Sequence, residues 1–166
     1  MRATRPERHP RGKLPSLVVP LLAAVIVLGC AEEPPREATV QDPETGRWYS
    51  VEQVMRGGEV YSQYCAGCHG EQAEGAENWF RRQSDGRWPP PPLNGTGHAW
   101  HHPLWQLRQQ IAEGSDPRRG DMPAFAGVLS DSEIDSVIAW FQSHWRPEVY
   151  SAWLVYDANT PVDPDS

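Results

Sequence analysis

The sequence predicts an all-α domain. Two helices with clear boundaries carry the prediction, one at each end of the domain, and a shorter helix lies between them. The C-terminal member is the best defined. Ser130 caps it and Glu133 completes a capping box. Ile134, Val137, Ile138, Phe141 and Trp145 then fall at i, i+3, i+4, i+7 and i+11, one face of a helix, and Pro147 stops the run. The N-terminal member begins at Ser50, a good N-cap, and runs through Cys65 with Val51, Val54, Val60, Tyr61 and Tyr64 as its apolar stripe. Gly57 and Gly58 would each weaken a free helix by about 1 kcal/mol, so their presence points to close contact with another helix. Met55, on the same segment, is expected to face that helix pair. In the middle, Pro103 suits a first helical position, Leu104, Leu107 and Ile111 share a face, and Gly114 closes the element. Residues 75 to 97 read as loop, because four consecutive prolines, Pro89 to Pro92, exclude a helix.

The N-terminus reads as a targeting segment, so fold reasoning starts later. Arg2, Arg5, Arg8, Arg11 and Lys13 stand against one acid, Glu7, and residues 14 to 29 carry no charge. A basic stretch before a short apolar one is a secretory signal. Sixteen residues that include Pro15 and Pro20 are short for a membrane span, which needs roughly 20. The run ends Val27-Leu28-Gly29-Cys30, which resembles a bacterial lipobox and makes Cys30 the expected lipidation site. An uncleaved anchor is the alternative, and both place the domain on the periplasmic side of a bacterial membrane. Residues 30 to 47, polar and rich in proline, read as a flexible linker. The domain is expected over 48–146, with 147–166 as a C-terminal extension whose end, from Pro161, is disordered.

Charge narrows the partners. Residues 1 to 29 contribute a net +4, so the chain's −7 becomes −11 for residues 30 to 166. Lys13 is the single lysine and lies in the signal. A lysine-free acidic domain is a poor binder of nucleic acid, which requires a basic patch. It suits a partner with a basic docking face, although simple solubility explains the charge equally well.

Chemistry concentrates at Cys65-Ala66-Gly67-Cys68-His69, the pattern for covalent attachment of c-type haem. Two intervening residues set the sulfurs about one helical turn apart, which suits thioether links to the two haem vinyl groups. His69 follows directly and is placed as the proximal iron ligand. A thioredoxin-like pair would need a βαβ surround, and a zinc site would need further ligands in register; neither is present. The three cysteines, Cys30, Cys65 and Cys68, are then all accounted for.

Over roughly residues 50 to 146 the chain resembles class I cytochrome c. The resemblance implies three to four helices around one covalently bound haem c and one-electron transfer between redox proteins. It implies a helix crossing through Gly57 and Tyr61, met by Val137 and Trp140. It makes Met122, in Gly120-Asp121-Met122-Pro123, the distal ligand. Thioether ligation raises the potential relative to a second histidine, and two filled axial positions favour electron transfer over catalysis. The family also has a proline carbonyl that accepts a hydrogen bond from the proximal histidine, then a leucine on the haem. Pro92 and Leu93 are similar to that pair, although 22 residues separate His69 from Pro92, more than a small class I member has. The inserted Trp79, Phe80, Arg81, Arg82 and Trp88 would cover a haem edge or form a docking surface.

His98, His101 and His102 are the least expected feature. They would either bind copper or serve structurally, with Trp100 and Arg108 as expected propionate neighbours. No catalytic residue is assigned, so the chain reads as a carrier or as a subunit of a larger oxidoreductase. A haem-based sensor and a copper-handling protein are the alternative functions.

Overall fold

The computed structural model describes residue 42 and residues 45–161. The signal, the lipobox at Cys30, most of the linker and the chain beyond residue 161 lie outside those residues. Among the described residues the chain forms five α-helices and no strand: α1 (Val51–Tyr64), α2 (Ala66–His69), α3 (Leu104–Glu113), α4 (Asp131–Ser143) and α5 (Pro147–Asn159), with a 3₁₀ turn over Ala99–His101. None of them is long and apolar enough to cross a membrane.

Two capping boxes set the main helices: the one expected at Ser130, and one at Ser50 in which Gln53 completes the expected cap. Ser50 accepts from the Gln53 N–H and Gln53 returns a bond to the Ser50 N–H; Ser130 and Glu133 do the same at α4. Each box satisfies two N–H groups that a helix start otherwise leaves without partners. Gly114 ends α3 with φ +75°, a conformation that favours glycine. The expected single helix through Cys65 is divided there: Cys65 closes α1 at φ −115°, and a further turn, α2, carries Cys68 and His69.

Helices α1 and α4 cross at Gly57. A methyl group built on Gly57 would lie 1.8 Å from the Ser136 carbonyl oxygen and 2.9 Å from the Trp140 Cβ. Two glycines therefore do more here than weaken a helix. They let the backbones touch, and Trp140 lies over Gly58 and stacks on Tyr61 with ring centroids 4.0 Å apart. Val137 is buried as expected, but the groups that meet Gly57 are Ser136 and Trp140. Met55 is 69% exposed and does not face the helix pair. It stands two residues from Gly57, and on an α-helix such a separation turns a side chain away from the contact.

The main departure is at the C-terminus. Pro147 does end the run, since α4 stops at Ser143, but it also opens α5 at its first position. Residues 147–159 are thus a packed helix, not a simple tail. Trp153 and Tyr150 are buried. The Trp153 indole donates to the His102 carbonyl at 2.9 Å, and the Leu104 N–H donates to Asp157 Oδ1 at 2.6 Å, so α5 caps the start of α3. The Trp48 N–H donates to the Tyr150 hydroxyl, and the Trp48 indole donates to Gln142. Trp145, expected on the last helix, lies just beyond it and is still buried, donating to the Leu93 carbonyl at 2.7 Å.

Gly57→Ala should cost about 3 kcal/mol, because the steric term exceeds the gain in helix propensity. Glu59→Ala, on the exposed side of the same helix, should stay within about 0.5 kcal/mol. Trp153→Ala should cost about 4 kcal/mol if α5 is part of the cooperative unit. Denaturant melts of the three variants check these values, and a wild-type midpoint for Trp153→Ala would show that α5 is peripheral.

Candidate functional site

Helices α1 and α2 bring Cys65 and Cys68 to one end of the α1–α4 pair, both as free thiols. Burial, assisted by the neighbouring Cys68, pushes the Cys65 thiol up to about 11. A reactive dithiol has the opposite shift, since the thiolate is its working form. The site is therefore unlike a thioredoxin-type pair.

His69 is buried, and its Nδ1 lies 2.9 Å from a backbone carbonyl. A carbonyl only accepts, so Nδ1 carries the proton and Nε2 keeps a free lone pair. Burial lowers the His69 pKa, partly opposed by that hydrogen bond, and keeps the ring neutral. A neutral imidazole with its other nitrogen anchored is the form that ligates a metal.

The accepting carbonyl belongs to Pro91, not to Pro92 as the sequence suggested. In a run of four prolines the side chains give no signal for which carbonyl turns inward. Two glycines decide it. Gly75, at φ +73°, lies so close that a Cβ would fall 2.6 Å from the Pro91 carbonyl carbon and 2.4 Å from the Pro92 nitrogen. A Cβ on Gly97 would lie 2.3 Å from the Pro92 oxygen, so Pro92 meets Gly97 and Pro91 meets His69. Leu93 is half-buried against the core, tied by its N–H to the Ala73 carbonyl and by its own carbonyl to Trp145. Ala73 is fully buried at φ +57°, a rare conformation for a residue with a side chain. Gly75, Gly97 and Ala73 were not identified from the sequence. Gly97 was the most accessible of them, since it follows the proline run by five residues, whereas Gly75 precedes it by fourteen.

Met122 is half-buried against the same core and anchored at both backbone groups. Its N–H donates to Ser115 Oγ and its carbonyl accepts from the Ser115 N–H, both at 3.0 Å. Its sulfur lies 3.7 Å from Gln110 Nε2. Gly114 lets this segment pass, because a Cβ there would lie 2.6 Å from the Met122 oxygen. The loop is thereby fixed to the end of α3.

The histidine stretch does not converge. His98 and His102 face each other with ring centroids 5.4 Å apart, whereas His101 lies edge-on against Trp100 at 3.8 Å. His98 stacks on Trp79, and His102 Nδ1 is 3.1 Å from Gln106 Oε1. Among the described residues no three metal-binding side chains come together, so of the two readings the structural one fits these contacts and the copper cluster does not. The proposed propionate neighbours are also engaged elsewhere. Arg108 makes a two-point pair with Asp135, and the Trp100 indole donates to Gly97. Two buried donors have no acceptor among the described residues, the Trp105 indole and Gln142 Nε2. Such orphans are costly.

Two thiols spaced for thioether links, a buried imidazole with Nδ1 tied to a carbonyl and Nε2 free, and a methionine anchored through its backbone fit haem c well. Fold and site together define an all-α c-type cytochrome domain. Residues 52–141, more than half of the chain, match the family described as cytochrome c oxidase, cbb3-type, subunit III, and the chain belongs to that family. No curated protein and no solved structure matches it. The domain thus binds one haem c covalently and serves haem-based electron transfer, as a carrier or as an oxidase subunit. The family match ends within α4, and α5 is additional to it.

Gly75→Ala tests the arrangement of the proline segment. The left-handed conformation alone costs about 1–2 kcal/mol, and the clash with the Pro91–Pro92 peptide adds to it. The expected result is a lower melting temperature together with a perturbed haem spectrum. A normal spectrum in a merely destabilised protein would show that the Pro91 carbonyl does not orient His69.

Proposed function

We propose that this protein is a membrane-tethered, periplasmic monohaem cytochrome that passes single electrons between redox proteins. Cys65 and Cys68 hold the haem, His69 and Met122 are its axial ligands, and Leu93 packs on it. The observation that carries this reading is the placement of His69: buried, with Nδ1 2.9 Å from the Pro91 carbonyl and Nε2 free. When bound, the haem supplies a reversible one-electron Fe(II)/Fe(III) couple. The protein's own residues supply rigidity and exclude competing ligands. Pro91 fixes the imidazole plane and increases its basicity. Ser115 and Gly114 hold the Met122 segment, so the thioether does not swing away when the charge on the site changes. A packed pocket that moves little during electron transfer keeps the reorganisation cost small.

The membrane tether rests on the sequence of residues 1 to 30, where a basic stretch, an apolar stretch and Cys30 follow in the order of a lipoprotein signal. Palmitate labelling should mark the wild type and not Cys30→Ala, and the wild type should lack residues 1 to 29. A membrane-bound, unlabelled wild type that keeps its signal would favour an uncleaved anchor.

Spectra of the holoprotein matured in a bacterial periplasm test the ligand assignment. The wild type should be low-spin and six-coordinate, and should not bind carbon monoxide when reduced. Met122→Ala should lose the sulfur-to-iron charge-transfer band, bind carbon monoxide and show a lower potential. Ser115→Ala should retain the band at room temperature and lose it at a lower temperature than the wild type. A wild type that binds carbon monoxide at once would overturn the reading in favour of ligand sensing.

A further inference from the structure

Ten arginines follow Cys30, and five of them lie within two short loops, 79–88 and 116–121. The loops form one surface. The Trp88 N–H donates to the Arg119 carbonyl at 2.8 Å, and Arg87 pairs with both Asp85 and Asp121. Arg82 lies over the Trp88 ring at 4.9 Å and donates to the Gly86 carbonyl; Arg81 lies 5.6 Å from the Phe80 ring. Phe80 is 57% exposed and Trp88 40%, so this surface presents aromatic faces as well as charge. Arg87 and Arg118 are neutralised by aspartates, whereas Arg81, Arg82 and Arg119 form no ion pair among the described residues. Within the two loops five arginines stand against three aspartates, in a chain that is otherwise strongly acidic. The strip runs directly into Met122, the residue that follows Asp121.

We propose that this arginine–aromatic strip docks the acidic face of a protein redox partner, so that electrons cross beside Met122. The inference rests on the electron-transfer reading above. It reverses the expectation drawn from net charge, which favoured a basic partner face: the sum over the chain hides a local patch of the opposite sign. A protein face fits better than an anionic membrane. The bulk of the domain is negative and would be repelled by anionic lipid. Arginine and tryptophan are the side chains that dominate protein interfaces, and here stacking and main-chain bonds already hold the guanidinium groups in place, which reduces the entropy lost on docking. A positive strip on an otherwise negative chain also orients the encounter before contact.

Two inorganic oxidants and one acidic protein serve as probes of the reduced and oxidised holoprotein. Hexacyanoferrate(III) and tris(phenanthroline)cobalt(III) each take one electron from the ferrous protein, and reduced plant-type ferredoxin gives one to the ferric form. Each rate is measured against ionic strength in the wild type, in Arg81→Glu/Arg82→Glu, and in Arg56→Glu/Arg146→Glu, which makes the same change in net charge away from the strip. The hexacyanoferrate and ferredoxin rates should fall as salt is added, despite the negative net charge. At low salt they should be about tenfold slower in the Arg81/Arg82 variant and little changed in the control variant. Equal effects in the two variants, or hexacyanoferrate and ferredoxin rates that rise with salt in the wild type, would overturn the strip as the docking face. So would arginine-dependent binding of the Cys30→Ala holoprotein to phosphatidylglycerol vesicles, or arginine-dependent dimerisation at low salt, without any effect on the ferredoxin rate. Failure to exchange a single electron with any probe would instead overturn the electron-transfer reading, and the docking proposal with it.

Discussion

The close crossing of α1 and α4 at Gly57 is the constraint from which the site follows. With no side chain at Gly57, the Ser136 carbonyl sits where a methyl group would be, and Trp140 can cover Gly58 and stack on Tyr61. Tyr61 is buried and donates its hydroxyl hydrogen to the Gly70 carbonyl at 2.8 Å. One contact between helices thereby fixes the backbone on the far side of the CxxCH motif. Cys65, Cys68 and His69 lie between the crossing and that hydrogen bond, so packing determines their positions before any haem arrives. The buried Tyr61 hydroxyl stays protonated, because burial raises its pKa well above the ordinary tyrosine value, so the donor is not lost at neutral pH.

The second constraint concerns the loop that returns to His69. A polyproline segment cannot donate from its own nitrogens, but its carbonyls remain free to accept. It is a suitable element to present an oxygen to an imidazole N–H, provided something else sets its position. Ala73 and Gly75 do so from one side and Gly97 from the other. Ala73 takes an unfavourable φ while its carbonyl receives the N–H groups of both Leu93 and Asn94. Strain at one buried residue is offset by two hydrogen bonds that hold the proline segment against the motif.

The sequence made the helices legible because each had a cap and an apolar period. Ser50 with Gln53, Ser130 with Glu133, and Gly114 all act as local rules predict. The motif was legible because its spacing follows from haem geometry. Three features were not, and each depends on tertiary contact. Pro91 and Pro92 are chemically identical, and only their distances to Gly75 and Gly97 separate them. Residues 147–159 follow a proline and have little amphipathic period, so they read as a tail. Trp153 and Tyr150 bury themselves against partners about 50 and 100 residues away in the chain, which no local pattern reports. Met55 is apolar on a helix, which predicts a buried face, but Gly57 sets the direction of that face and Met55 lies off it.

Helix α5 and the arginine strip together suggest how one haem domain is adapted to a particular setting. The matched family segment, 52–141, holds nearly all of α1 and most of α4, including Gly57, Ser136 and Trp140 at the crossing. What α5 adds is a brace: Asp157 caps α3, Trp153 fastens the His102 turn, and Tyr150 holds Trp48 ahead of α1. Since the Met122 loop hangs from the end of α3, a brace at the start of α3 stiffens the element that carries the sulfur. The insertion between His69 and the proline segment has the complementary effect. Its inner end, Ala73 and Gly75, positions the proline segment, whereas residues 79–88 lie outside the helices and carry Phe80, Trp88 and three arginines. Order near the motif and charge at the surface are separate requirements, and the two parts of one insertion meet them.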